Sequence, residues 1–260
     1  MSSATLALVR HGESTYVAEG RFQGRHDPPL TELGERQAAL VAARLADRDA
    51  GTPLPLPPGP PLGVWHSPLR RAAQTAGSIA LAQGDSVPMH PTPGFIEIAQ
   101  GEWEGQLLPD VKARWGRELE AWRRQPTTSH APGGESLNEA AARIRASLAD
   151  IVRAIGGEEM PVLDRDPVPG YRSAVSAAAQ TPWAVLVAHD GVFRLALLSL
   201  LNVPYERFWS VPFNLCAITV IDVNDDLGTL RAHNLSEHLA PLSDEARAAQ
   251  EARGERGGAL

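Results

Sequence analysis

The sequence predicts a single α/β domain of three layers, a mainly parallel β-sheet with helices on both faces. Two observations carry that expectation. Short continuous apolar runs at 4–9, 63–66 and 183–188 have the pattern of strands buried on both faces. Stretches with helical spacing lie between them, and alternating strands and helices build parallel sheets through crossover connections. A chain of 260 residues, 43% of them hydrophobic, can bury one sizeable core.

The elements follow in order. Residues 4–9 open the sheet, and the Gly-rich, polar stretch 10–30 reads as loop. Thr31 caps a helix through residue 47, whose stripe is Leu33, Ala38, Leu40, Val41 and Leu45. Residues 51–63 hold six prolines in thirteen positions, which excludes helix and central strand. They read as a stiff surface loop rather than as a proline-rich ligand for an adaptor domain. A strand at 63–66 leads into a helix from Ser67 to Gln83, with Ser67 as N-cap and Pro68 in the first turn. Residues 95–109 are loop. Residues 109–125 are helical and place Trp115 and Trp122 on one face, as core or pocket wall. Pro132, Gly133 and Gly134 break the chain, and Ser136 caps a helix through residue 155. Residues 156–182 read as an irregular surface insertion. A strand at 183–188, a helix at 192–201, and strands at 215–223 and 229–235 paired as a hairpin complete the domain, 1–240. Residues 241–260 lack an apolar stripe and read as a flexible tail.

Composition excludes several classes. A net charge of −7 argues against sequence-independent nucleic-acid binding. One cysteine, Cys216, excludes an intramolecular disulfide and a multi-cysteine zinc site, and its apolar surroundings suggest a buried, inert thiol. The N-terminus lacks a basic region ahead of its apolar run, and no apolar stretch is long enough to span a bilayer. A cytoplasmic protein with no membrane partner is therefore expected. The strand carrying Cys216 is either an exposed edge in a homodimer or an inner strand covered by the hairpin.

Three strand ends carry the chemistry. They read Arg10-His11-Gly12, then His66-Ser67 followed by Arg70-Arg71, then His189-Asp190-Gly191. In a parallel sheet these ends share one edge, where ligands bind. Two histidines and at least two arginines without acidic metal ligands describe an anion site, with phosphate the obvious anion. A histidine among arginines stays neutral, and a neutral imidazole is a nucleophile toward phosphorus. Arg70 points about 100° away from Arg71 on a helix and is the lesser ligand.

At this point the sequence resembles the histidine phosphatase superfamily, which includes the phosphoglycerate mutases. The resemblance rests on five ordered blocks: Arg10 to Ser14 with Gln23-Gly24 and Pro29-Leu30-Thr31; Ser67 to Ala76; Glu97 with Gly101, Trp103, Glu104 and Gly105; Gly134-Glu135-Ser136; and His189, Gly191 and Arg194. They span residues 5 to about 222. The resemblance implies a phosphoglycerate mutase-like fold and a metal-independent phosphomonoesterase without cofactor, acting on a small phosphate ester. It implies His11 as nucleophile, and Arg10, Arg71 and His189 around the phosphoryl oxygens. Glu97 would be the acid and then the base, chosen over Glu102 and Glu104 by spacing alone. Gln23, Gly24 and the backbone N–H of Asp190 would touch substrate, and His26 lies in the same pocket loop. Two positions depart from the family pattern. Val17 stands where a polar phosphate contact is common, and Asp190 stands where glycine is common, so its side chain is expected to face away. Glu135 follows Glu97 by only 38 positions, shorter than the closing segment of mutases. That favours a phosphatase over a cofactor-dependent mutase or an inactive phosphate-binding module. Trp103, Trp115, Trp122 and the 156–182 insertion would shape the pocket.

Overall fold

The computed structural model describes residues 3–84, 86–156, 181–243 and 245. Nearly all of the insertion expected at 156–182 and most of the expected tail lie outside the described residues. Six strands form one sheet in the order β3-β2-β4-β1-β5-β6. These are β1 (Ser3–Arg10), β2 (Val64–His66), β3 (Met89–Pro91), β4 (Trp183–Ala188), β5 (Ile218–Asn224) and β6 (Leu227–Leu235). The first four in spatial order run parallel, whereas β5 lies antiparallel to β1 and β6 antiparallel to β5. The mainly parallel sheet is thus present, with an antiparallel hairpin at one side. That hairpin settles the place of Cys216: β6 covers β5, and the thiol is buried.

Alternation along the strands sorts the core into two layers. Ala4, Leu6 and Leu8 of β1, with Ala184, Leu186 and Ala188 of β4, pack under α5 (Leu137–Gly156) and α6 (Asp190–Leu200). Ala7 and Val9, with Val185 and Val187, pack on the other face against α2 (Glu32–Ala46) and α3 (Arg70–Gln83). The two-residue period of a strand puts successive side chains on opposite faces, so continuous apolar runs serve both layers. A smaller cluster of Trp103, Val111, Leu119 and Ala131 sits under α4 (Leu108–Arg124).

Local capping largely follows the sequence. Thr31 Oγ1 accepts from Gly34 N (3.0 Å) at the start of α2. Ser136 and Glu139 form a reciprocal capping box ahead of α5. Two helices differ from expectation. The loop at 10–30 contains a one-turn helix, α1 (Thr15–Glu19), capped by Ser14. The helix expected from Ser67 begins only at Arg70, with Leu69 at the cap. Asp27 Oδ1, from the first loop, accepts from Arg70 N (2.6 Å) and supplies the capping acceptor. Helix α4 is kinked at Trp115 (φ −130°, ψ 35°). The proline-rich stretch is pinned to the fold: Leu54 is buried, Arg48 donates to Pro57 O, and Trp183 Nε1 donates to Gly59 O (3.1 Å). No helix among the described residues is long and apolar enough to cross a membrane.

Candidate active site

The parallel ladder continues past the strand ends and aligns the residues after them. His11 N donates to Ala188 O (3.0 Å), and Ser67 N donates to Val187 O (2.9 Å). His11, Ser67 and His189 therefore lie side by side, as chain geometry at a parallel edge requires. The two imidazoles meet edge-on with centroids 5.1 Å apart. Both are buried, at 1% and 0% exposure.

The hydrogen bonds around His11 select its tautomer. Nδ1 lies 2.6 Å from Gly12 O, an acceptor, so Nδ1 carries the proton. Nε2 lies 3.3 Å from Arg71 Nε, a donor, so Nε2 carries the lone pair. Burial, and then the charges of Arg71 and Arg10, hold the His11 pKa well below the ordinary histidine value. The ring is a neutral base with its free nitrogen facing a cation. Gly12 must be glycine here, because a Cβ would sit 2.5 Å from Gly34 O.

Arg71 projects from the first turn of α3. It donates from Nη1 to His26 O (2.7 Å) and from Nη2 to Gly24 O (3.0 Å). Burial lowers its pKa to about 10, which leaves it a cation at neutral pH. Arg10 donates from Nη1 to Phe213 O (2.6 Å), while its buried Nε has no protein partner. His189 Nε2 is 2.7 Å from Ser67 Oγ, and its buried Nδ1 has no partner. Burial first, then Arg71, keeps His189 neutral too. Polar atoms left bare in this way cost stability unless a ligand takes them.

Glu97 approaches from the segment after β3. Its Oε1 accepts from Ile98 N (2.9 Å) and Val192 N (3.2 Å), and Oε2 accepts from Gly191 N (3.2 Å). Two of these donors form the N-terminus of α6, which favours the carboxylate. Burial outweighs them, with a further push from Asp190, and the Glu97 pKa is raised. Asp190 itself turns its carboxylate to Arg194 Nε (3.0 Å). Its backbone remains at the mouth of the helix.

Some of these residues border a cavity of about 690 Å³. Arg10, Gln23, Gly24, Glu97, Asp190 and Gly191 form its inner wall, and Val17 faces it as well. His11, Arg71 and His189 do not line it: all three are buried, and His11 and Arg71 meet each other through Nε2 and Nε. Gln23 is also braced, its Oε1 accepting from Ser14 Oγ (2.6 Å). Of the tryptophans expected to line the pocket, only Trp122 does so. Trp103 is fully buried beneath it, and Trp115, at the kink, packs against the Trp103 cluster with Arg114 over its ring (4.4 Å). His26 does not line the cavity; its ring meets Tyr16 and its carbonyl serves Arg71. Arg70 is exposed outside the site.

Sequence reasoning missed the residues that hold this arrangement. Arg143 donates from Nη1 to Gly94 O and Ile96 O (2.7 Å each) and pairs bidentately with Glu135. Arg25 joins the same network through Glu135 Oε1 (3.2 Å) and Glu97 O (3.3 Å). Together they fix the backbone on which Glu97 stands. The Gly134-Glu135-Ser136 block was a signal for half of it, since Glu135 anchors Arg143. Glu104, the alternative acid, instead accepts from Gln100 N (2.8 Å) and Arg25 N (3.0 Å), a structural role. Among the described residues no group of three or more His, Cys, Asp and Glu is placed to hold a metal ion.

Comparison with known proteins agrees with this geometry. Residues 6–163 and 169–236 match the family described as the histidine phosphatase superfamily (branch 1). The chain belongs to that superfamily. Among its relatives, phosphoserine phosphatase 1 of Hydrogenobacter thermophilus is 26% identical over 241 residues, covering 93% of this chain and 97% of the relative. Glucosyl-3-phosphoglycerate phosphatase of Mycobacterium tuberculosis is 30% identical over 248 residues, covering 94% of this chain and 90% of the relative. A solved structure of the mycobacterial glucosyl-3-phosphoglycerate phosphatase in complex with VO3 superposes with a TM-score of 0.69 at 27% identity, over 89% of this chain and 99% of that one. This superfamily member thus has the phosphoglycerate mutase-like α/β fold, with the superfamily's His and Arg residues at its sheet edge.

Proposed function

We propose that the protein is a phosphomonoesterase that hydrolyses a small phosphorylated metabolite through a phosphohistidine at His11, using arginines instead of a metal ion. The observation that carries this reading is the setting of His11: Nδ1 lies against Gly12 O, which leaves Nε2 facing Arg71 Nε, with the charge of Arg10 also lowering its pKa and the His189 ring edge-on at 5.1 Å. That relatives carry phosphatase names, and that one was solved with VO3, supports it.

The steps follow from the atoms present. The phosphoryl oxygens take up the bare donors at Arg10 Nε and His189 Nδ1 and draw the N–H groups of Arg71 away from His11. The Arg71–His11 contact is long, so little is lost when the guanidinium turns to the anion. The Nε2 lone pair then attacks phosphorus, the ester P–O bond breaks, and the alcohol leaves with the proton of Glu97. Water next attacks the phosphohistidine, Glu97 takes a proton from it, the P–N bond breaks and phosphate departs. A carboxyl group serves both turns only when its pKa is raised toward the working pH, as burial does for Glu97. Arginines neutralise the equatorial oxygens of the transferring group, the task a divalent cation performs elsewhere. The hydroxyl of Ser67 lies 2.7 Å from His189 Nε2; in the tautomer this reading requires, it donates to Nε2 and leaves the His189 proton on Nδ1, toward phosphate.

The test is hydrolysis of p-nitrophenyl phosphate near pH 6–7 in the presence of a chelator, with His11→Ala as control. Activity that survives chelation and vanishes in the variant is the expected result. Activity abolished by chelator, or retained without His11, contradicts the proposal.

A further inference from the structure

The cavity is much larger than phosphate needs. Its volume of about 690 Å³ lies in the range of pockets that enclose whole organic ligands, roughly 300–1,000 Å³. The part beyond Arg10 and Glu97 is walled by Phe22, Leu119, Trp122, Phe208 and Trp209. These rings brace one another. Trp122 meets Trp209 edge-on at 4.6 Å, Phe208 meets Trp209 at 4.8 Å, and Trp122 rests on the buried Trp103 at 5.8 Å. Behind them the Arg194 guanidinium lies 5.7 Å from Phe208 and 5.4 Å from Trp209, held in turn by Asp190. The departure at Asp190 thereby gains a purpose: it anchors the arginine that backs the wall.

Phe208 and Leu119 are buried in this wall, whereas Phe22 and Trp122 are half-buried and Trp209 is 39% exposed. Rigid aromatic surface left open to water inside a concave site marks a ligand-binding face. Two arginines, Arg21 and Arg123, stand at its rim. Arg123, on the last turn of α4, is exposed and makes no ion pair or hydrogen bond among the described residues. Arg21 on the same rim is committed to Glu19 and Gly105 O.

We infer that the preferred substrate is a phosphomonoester whose alcohol carries a flat ring, seated on Trp122 and Trp209, and a second anionic group that meets Arg123. This inference rests on the phosphatase reading above and names the substrate class of that same site. A two- or three-carbon alcohol would leave the rings wet and Arg123 unpaired. A ring covers the apolar wall, and aromatic pairing adds to the gain from area alone.

Three synthetic esters test it: ethyl phosphate, benzyl phosphate and 4-carboxybenzyl phosphate. Their alcohols are similarly poor leaving groups, so differences report binding along the wall. The expected kcat/KM rises about tenfold from ethyl to benzyl, which corresponds to one ring-sized burial. It rises again, roughly threefold, for the carboxylated ester, and that second step shrinks with added salt. Trp209→Ala collapses the benzyl-to-ethyl ratio, and Arg123→Gln abolishes the carboxylate step. Equal kcat/KM for all three esters overturns the inference. Calorimetric binding of methylphosphonate, benzylphosphonate and 4-carboxybenzylphosphonate separates this from the function itself. If no ester is hydrolysed but the phosphonates bind in that order, the phosphatase reading fails and the wall stands. If the esters are hydrolysed and the phosphonates bind equally, the wall fails and the phosphatase reading stands.

Discussion

Replacing Glu97 with Gln isolates the proton that this carboxyl group is proposed to deliver. The side chain keeps its size, and its amide oxygen can still accept from Ile98 N and Val192 N. Its NH₂ would face Gly191 N–H, so one hydrogen bond of 3.2 Å is forfeited. That costs about 0.5–1.5 kcal/mol of stability and leaves the fold intact. The chemical cost is larger. Loss of a general acid lowers rate by roughly 10²–10⁴-fold, or about 2.7–5.4 kcal/mol in the barrier, when an alkoxide must leave. p-Nitrophenolate needs little protonation. The expected kcat/KM of Glu97→Gln is therefore down by roughly 10²–10⁴ on benzyl phosphate and by less than about tenfold on p-nitrophenyl phosphate. This ratio is the right observable because it includes no step after the alcohol departs. The later step appears separately: without a base to activate water, the variant should release a burst of nitrophenolate and then turn over slowly. In the wild type, kcat/KM on the alkyl ester should fall on the alkaline side as Glu97 loses its proton, a limb missing in the variant. Equal loss of kcat/KM on both esters would refute the assignment of Glu97 as acid.

Other outcomes follow from the same contacts. Ser67→Ala removes the hydroxyl 2.7 Å from His189 Nε2 and should lower kcat about tenfold while KM changes less, as loss of a group that orients a transition-state contact does. Arg143→Ala strands the carbonyls of Gly94 and Ile96 and the Glu135 carboxylate; urea unfolding should show a loss of about 3 kcal/mol or more, and Arg143→Lys should not restore it, since lysine lacks the fork. Stability should also depend on pH. His11 and His189 have folded pKa values below the unfolded value near 6.5, so the unfolded chain binds more protons between the two values. Stability is full above pH about 6.5 and is lost as pH falls toward the folded pKa. For each ring, every tenfold by which folding weakens proton binding is worth about 1.4 kcal/mol. The raised Glu97 pKa acts in the opposite sense, stabilising below its unfolded value and fading as pH rises through its folded one. Melting temperatures between pH 7.5 and 5.5 should therefore decline in the wild type and less steeply in His189→Asn. A flat profile in both would contradict buried neutral histidines.

The sheet edge was legible because its signals are local. Buried strands such as β1 and β4 read as unbroken apolar runs, and the polar groups that follow them sit next to one another by the geometry of a parallel ladder. What the sequence concealed was long-range. Strand β3 is three residues with exposed Met89 and Pro91 at the sheet's edge, too short and too polar for a periodic signal. Ser67 looked like a helix cap, but its hydroxyl is taken by His189, and the cap comes from Asp27, 43 positions upstream of Arg70. Arg143 lies on the surface-facing side of α5 by pattern, yet it reaches under the Glu97 segment because Glu135 holds it there. The aromatic wall joins residues from the first loop, α4 and the turn after α6, so no single stretch of sequence displays it.

The central claim is that His11 Nε2 becomes covalently bonded to phosphorus. Rapid acid-free quenching of the enzyme during turnover of a ³²P-labelled ester, followed by peptide mapping, tests it directly. The account predicts a label on the peptide containing His11 that survives alkali, is lost in acid and is absent from His11→Ala. Hydrolysis that proceeds with no labelled enzyme, or with label on another residue, would contradict it.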